Sequence, residues 1–324
     1  MQTRNQAQQA VIRQILLSSS QEPVLPSNVK APLKWSGGKA SLVNDLVLML
    51  PDAIDNAYFP CTGAASMFFE MRRRNLIKGK SFLTDKNENL INFLHVLRDQ
   101  TRQLVSLLDT LHSHYGGGCR SLFNLAVDTL LSDKSTKLQH AASFWVFNKT
   151  ASFHAVSKEI RKTAYSDVLA SQKDFSRQAI RYLLTFGKML EGVTIENECY
   201  TQTFRRALNG GTKNFTFIDP PYLYAGERLY VSDNTDNPQD TFDFDKFSKA
   251  CMELQSASNL MVTLDANKKS LEKLDFMKQY QHSVYYAGTK KFADEQVAIN
   301  YLPVSGKNIA NSLNWEDISP DWAA

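Results

Sequence analysis

An α/β fold interrupted by a long helical segment is the architecture this sequence predicts, and three observations predict it. Strand-like apolar runs end in Pro or Asp at Tyr58-Phe59-Pro60, Leu83-Thr84-Asp85 and Phe215-Thr216-Phe217-Ile218-Asp219. Between Asn89 and Leu190 the apolar residues recur instead at helical spacing, as in Leu90, Phe93, Leu94 and Leu97, and again in Ile180, Leu183, Leu184 and Met189. Strand character then returns at 193–195, 215–218, 260–264, 284–286 and 297–301.

Residues 1–30 begin with a Gln-rich stretch and run through Ser18-Ser19-Ser20 to Pro23 and Pro26, the composition of an extension and linker. From Pro32 a Gly-containing turn leads to a helix over about 42–50, a strand into Pro60, a helix over 67–74 and a strand ending at Asp85. The expected organisation is therefore an extension (1–30), the first part of an α/β domain (31–95), a helical domain (96–190), the second α/β part (191–305) and a tail (306–324).

With 324 residues, 43% of them hydrophobic, the chain has enough apolar surface for one large core or a core and a smaller domain. Its four cysteines, Cys61, Cys119, Cys199 and Cys251, show no paired spacing, so neither a zinc site nor a disulfide framework is expected. No stretch approaches the length of a membrane span, and no apolar signal core follows the first charges. A cytoplasmic protein without metal or membrane partner is expected. The net charge of +4 is mild, but residues 148–188 hold eight Lys or Arg against three acids, a local excess suited to a polyanion.

The chemistry is concentrated in short motifs. Asp219-Pro220-Pro221-Tyr222 lies where a buried strand ends, the edge at which open α/β sheets bind ligands. Two prolines fix φ, so the Pro220 carbonyl and the Asp219 carboxylate stand as two acceptors for one planar amino group. On a nucleobase that nitrogen is a poor nucleophile, because its lone pair is delocalised into the ring; accepting from it stabilises the charge that develops during attack. Tyr222 offers a ring face on which a base can stack. An ordinary turn closing a strand is the competing reading of the same residues.

Lys34-Trp35-Ser36-Gly37-Gly38-Lys39 brings an aromatic, two glycines and two cations to a helix start, where backbone can approach an anionic ligand. It is not a P-loop, which requires Gly at Leu33 and a hydroxyl at Ala40. The small residues after Pro60, with Gly63 among them, suit close backbone contact with a cofactor. Asp85, 22 residues after Gly63, is placed to accept from ribose hydroxyls. Asp85-x-Asn87-x-Asn89 is no calcium loop, since Leu90 occupies the obligatory glycine position.

Taken in order, Leu33-Lys34-Trp35-Ser36-Gly37-Gly38-Lys39, Pro60-x-x-Gly63, Thr84-Asp85-x-Asn87 and Asp219-Pro220-Pro221-Tyr222 resemble the Dam-type DNA adenine-N6 methyltransferases over about residues 31–305. The resemblance implies a Rossmann-like, mainly parallel sheet of the class I methyltransferase type, with an inserted helical target-recognition domain. It implies S-adenosyl-L-methionine as cofactor, S-adenosyl-L-homocysteine as product and double-stranded DNA as partner, on a monomer or weak dimer in a bacterial cell. By it Asp219 and Tyr222 are catalytic, with the Pro220 carbonyl beside them; Trp35, Lys39, Asp85 and Asp219 bind cofactor, with Gly63 in the small-residue turn; Asn148 and Lys149 open the DNA-reading turn, while the local basic excess adds Lys158, Arg161 and Lys162 as DNA-binding residues. Glu295-Gln296-Val297-Ala298-Ile299-Asn300 resembles the family's final strand. A cytosine amino group or RNA as substrate, and a DNA-binding relative whose methyl transfer has decayed, are the alternatives.

This chain departs from the family at two places. Phe59 and Cys61 stand where an acid and an aromatic are usual, with Ala64 and Ala65 following the single glycine, and Phe59 is expected to pack against the cofactor instead. After Asn148-Lys149-Thr150 the usual glycine-containing hairpin is missing.

Overall fold

Buried apolar strands arranged in parallel set the architecture. The computed structural model describes residues 23–303 except 36, 152–159, 161–162, 167–174, 212, 222–241, 266–267 and 287–290; of 265, 268–270, 282–286 and 291–294 it describes the backbone alone. The strands are β1 (Ala57–Pro60), β2 (Ser81–Asp85), β3 (Thr194–Asn197), β4 (Asn214–Ile218), β5 (Ser258–Asp265), β6 (Lys278–Tyr286) and β7 (Lys291–Ile299). They form one sheet in the order β3-β2-β1-β4-β5-β7-β6. The first five are parallel, and β7 lies antiparallel between β5 and β6. Every residue of β1 and β4 is buried, as central strands covered on both faces require.

Alternation along β1 sends neighbouring side chains to opposite faces. Tyr58 joins a core with Phe204, Phe244, Phe247, Leu260 and Val262. Phe59 turns the other way, edge-on to Phe68 at 5.6 Å and 6.5 Å from Phe217. Six helices carry the covering residues or link the strands: α1 (Val43–Leu48), α2 (Ser66–Arg73), α3 (Glu88–Asp99), α8 (Tyr200–Leu208), α9 (Phe244–Leu254) and α10 (Lys268–Lys273). The intervening four are α4 (Thr101–Tyr115), α5 (Arg120–Leu130), α6 (Lys137–Thr150) and α7 (Arg177–Met189). No described helix is long and apolar enough to cross a membrane.

The described residues divide into two compact units, a sheet unit within 34–91, 160 and 192–303 and a helical unit within 23–33, 92–151 and 163–191. In the helical unit α6 is buried on all sides from Ala141 to Thr150, as expected of the central helix of a bundle. Its start is fixed by a reciprocal cap, Thr136 accepting from the Gln139 amide while the Gln139 side chain accepts from the Thr136 amide. Trp145 of α6 stacks obliquely on Phe175 and donates its indole N–H to the Pro32 carbonyl at 3.1 Å. Thr185 likewise donates to the Pro23 carbonyl. Residues 23–30, expected to be linker, and 31–33, expected to open the α/β domain, are thus seated on the helical unit, because the Pro23 and Pro32 carbonyls accept from its donors.

Several elements differ from the sequence expectation. β6 starts at Lys278, earlier than expected, because antiparallel pairing with β7 extends the ladder beyond the apolar stretch. β7 ends at Ile299; Tyr301 lies past it and donates its hydroxyl to the Met49 carbonyl. Helices α8, α9 and α10 were not expected.

Gly187 of α7 faces the α3–α4 junction, and a methyl group there would stand 2.6 Å from the Leu97 carbonyl and press on Thr101. Overpacking of this kind costs roughly 1–3 kcal/mol. Gly187→Ala should lower unfolding stability by about that amount, measured by denaturant titration.

Candidate active site

The sheet order reverses beside β1: its chain continues to β2 on one side, while β4 pairs on the other. Such a switch point opens a crevice at the carboxyl ends of the strands. The chain leaving β1 makes an unusual turn there. Cys61, Gly63 and Ala65 have φ of 55°, 49° and 58°, an alternation of left-handed residues, two of which carry a Cβ. Each of those two costs about 1–2 kcal/mol in this conformation, and such strain persists only where surroundings enforce it.

Three contacts enforce it. The Thr62 amide donates to the Thr84 carbonyl at 3.0 Å, and the Gly63 amide donates to Asp85 Oδ2 at 3.1 Å. A Cβ on Gly63 would stand 2.9 Å from Trp35 Nε1, so the indole lies directly on this backbone. Asp85 also accepts from the Asn87 amide at 3.0 Å, while Asn87 Oδ1 caps α3 through the Leu90 amide at 3.1 Å. Burial pushes the Asp85 carboxyl above the usual range, and the backbone amides of Asn87, Gly63 and Lys86 oppose that shift. Thr62 Oγ1, in the same turn, is buried without a hydrogen-bond partner among the described residues.

Beside this turn, Asp219 follows the last residue of β4. Its carboxylate accepts from Thr263 Oγ1 at 2.8 Å and pairs with the Lys39 ammonium at 2.8 Å. Lys39 opens the short 3₁₀ turn Lys39–Ser41, also donates to the Gly37 carbonyl, and stands 3.5 Å from Glu295 of β7. Burial works against the ammonium charge, but Asp219 and Glu295 together outweigh it and hold Lys39 above the ordinary lysine value. Burial pushes Asp219 up; Lys39 pulls it down, Glu295 adds to the rise, and the net direction is upward. The Cys61 thiol is pushed well up, first by burial and then by Asp85 and Asp219.

Of the residues singled out in the sequence, Trp35, Lys39, Gly63, Asp85, Asp219 and Pro220 all belong to the sheet unit. They form two adjoining groups, Trp35-Gly63-Asp85 and Lys39-Asp219, with Pro220 buried next to Asp219. Tyr222, Lys158, Arg161 and Lys162 lie outside the described residues. Asn148 and Lys149 form the last turn of α6, both buried, with the Lys149 ammonium 5.5 Å from the Trp145 ring centroid. Phe59, expected against the cofactor, lies in the core between Phe68 and Phe217.

Glu295 and Thr263 went unrecognised. An acid at the start of the apolar run Val297-Ala298-Ile299 was the available signal, because a buried carboxylate in a strand requires a cation nearby.

The chain is similar to known proteins over much of its length. Residues 35–286 match the family model described as D12 class N6 adenine-specific DNA methyltransferase. A type II methyltransferase of Lactococcus lactis subsp. cremoris, M1.LlaDCHI, is 30% identical over 208 residues, covering 62% of this chain and 68% of that protein. A DNA adenine methylase of Vibrio cholerae serotype O1 is 25% identical over 216 residues, covering 63% of this chain and 73% of its own length. A matched stretch that begins at Trp35, runs through Gly63, Asp85 and Asp219, and covers most of the sheet unit is the signature of common descent: the chain belongs to the D12 class of N6 adenine-specific DNA methyltransferases.

Proposed function

We propose that the crevice at the carboxyl ends of β1, β2 and β4 binds S-adenosyl-L-methionine and serves an adenine turned out of double-stranded DNA. The observation that carries this reading is Asp219, a carboxylate at the switch point that is backed by a buried cation yet keeps 21% of its side-chain surface exposed. The donor set suits a cationic cofactor. Asp85 and Asp219 supply negative charge, and Thr62 Oγ1, without a hydrogen-bond partner among the described residues, adds a polar atom to the turn. Bound S-adenosyl-L-methionine supplies a methyl group on a positive sulfur, which keeps the C–S electron pair when the new N–C bond forms.

The residues then divide the work. Asp85 accepts from ribose hydroxyls, as an acid after the second strand does in such sheets. Trp35 seals the Gly63 turn with its indole. Asp219 and the Pro220 carbonyl accept from the adenine amino group, concentrating the lone pair on nitrogen and stabilising the positive charge that arrives with the methyl. The extra proton leaves that nitrogen for water. Tyr222 supplies the stacking face for a base that has left the duplex. Lys39 keeps Asp219 ionised. The helical unit acts as target-recognition domain; Lys158, Arg161 and Lys162, outside the described residues, are assigned to phosphates on their charge in the sequence alone.

Replacing Asp219 with Ala should leave the protein folded and reduce methylation about a hundredfold, equivalent to about 3 kcal/mol of transition-state stabilisation. Labelled-methyl transfer to mixed-sequence DNA measures it, and a rate within about threefold of the parent refutes the role. Calorimetric titration with S-adenosyl-L-methionine separates this reading from that of a decayed relative, which would bind DNA and no donor.

Alkylation of Cys61 by iodoacetamide is expected to be slow at pH 8, since only the thiolate reacts. It should accelerate in Asp85→Asn, where one neighbouring negative charge is gone. Peptide mass mapping reads both rates; equal rates would separate Cys61 from that carboxylate.

Changing Lys158, Arg161 and Lys162 together to Ala should lower the slope of log affinity against log salt by about 0.9 for each phosphate no longer neutralised. An unaltered slope in salt-titrated DNA binding would move the basic face elsewhere.

A further inference from the structure

We propose that Thr263 is a positioning residue of the transfer reaction, its hydroxyl holding one oxygen of Asp219 so that the other, Oδ2, accepts from the substrate's amino group. This rests on the reading of Asp219 as acceptor for that group. Thr263 Oγ1 donates to Asp219 Oδ1 at 2.8 Å, and the Lys39 ammonium stands 2.8 Å from the same oxygen. Asp219 Oδ2 accepts no hydrogen bond among the described residues. Thr263 is fully buried, whereas Asp219 keeps 21% of its side-chain surface exposed. The carboxylate is thus anchored at one oxygen and unengaged by hydrogen bonds at the other.

The sheet brings the two residues together. β4 and β5 run parallel with Ile218 opposite Val262, so the residues that follow, Asp219 and Thr263, come side by side. Leu260, Val262 and Leu264 enter the core that holds Tyr58, and alternation along β5 turns Thr263 to the other face. The last torsion of an aspartate is broad and roughly two-fold, so a carboxylate without a directional partner swings. An ammonium on a flexible stem attracts it as a point charge and sets no direction. A β-branched threonine within a strand is stiff, and its hydroxyl does set one. An acceptor already aimed at the amino nitrogen needs no reorganisation as the N–C bond forms. The same hydroxyl favours the ionised form of Asp219, on which Lys39, Glu295 and, from the β1 turn, Cys61 also act.

Steady-state methylation of unmethylated mixed-sequence DNA tests the proposal with the parent, Thr263→Val, Thr263→Ala, Thr263→Ser and Asp219→Asn, at a temperature where circular dichroism shows them folded. Thr263→Val and Thr263→Ala both lose the hydroxyl, the first keeping the volume, and either one that folds decides. In them kcat should fall about tenfold while donor KM stays within about threefold. The acid limb of the kcat–pH profile should move to higher pH, because a donor to the charged form of Asp219 is gone. Thr263→Ser, which retains the hydroxyl, should recover most of the rate. A parental kcat without the hydroxyl, an unmoved acid limb, or a Thr263→Ser as slow as the hydroxyl-free variants would overturn the proposal. With Asp219→Asn inactive, such a result removes the role of Thr263 alone; a fully active Asp219→Asn removes the reading of Asp219 and this proposal with it.

Discussion

A lysine ammonium enclosed between two carboxylates is the constraint on which the rest of the sheet unit depends. Lys39 comes from the first turn after Trp35, Asp219 from the end of β4, and Glu295 from β7. None of the three charges is tolerable alone in that environment. Removing one partner of a buried pair leaves an uncompensated charge, typically at a cost of about 3–5 kcal/mol. The cluster therefore ties three distant stretches of chain to one arrangement, and it places the partly exposed Asp219 carboxylate at the edge where the sheet opens.

The strand order explains why the second group, Trp35-Gly63-Asp85, adjoins the first. Parallel pairing of β1 with both β2 and β4 brings the turns after Pro60, Asp85 and Ile218 to the same edge, so three short loops face one crevice. The left-handed Cys61 and Ala65 then have a physical account: the amide of Gly63 must reach Asp85 while its α-carbon lies under the Trp35 ring.

Much of this was legible in the sequence, for identifiable reasons. Apolar runs ending in Pro60, Asp85 and Asp219 mark β1, β2 and β4 because buried parallel strands read as continuous apolar stretches. The helical insertion was legible from its periodicity. Helix α9 was missed although Phe244, Phe247, Cys251 and Leu254 follow helical spacing behind the Asp243 cap; the aromatic residues before it suggested no element. The acid before an apolar run marked Glu295 as a buried carboxylate in need of a cation, but its partner Lys39 lies at the other end of the chain, and periodicity says which residues are buried, not whom they meet. The β1 turn misled in another way: Phe59 sits beside the cofactor motif in sequence, but strand alternation sends it into the core.

The position of β7 has a consequence for how the molecule is built. This strand lies antiparallel between β5 and β6, and a shift of one residue in its pairing would turn every side chain to the opposite face. Glu295 would leave Lys39, with Gln296 in its place. Lys39 is among the first residues of the sheet unit to be synthesised, and Glu295 among the last. Until the final hairpin docks in that register, the Lys39 ammonium is without the Glu295 carboxylate beside it. The pairing of Lys39 with Glu295 thus requires the last strand to be seated in this register.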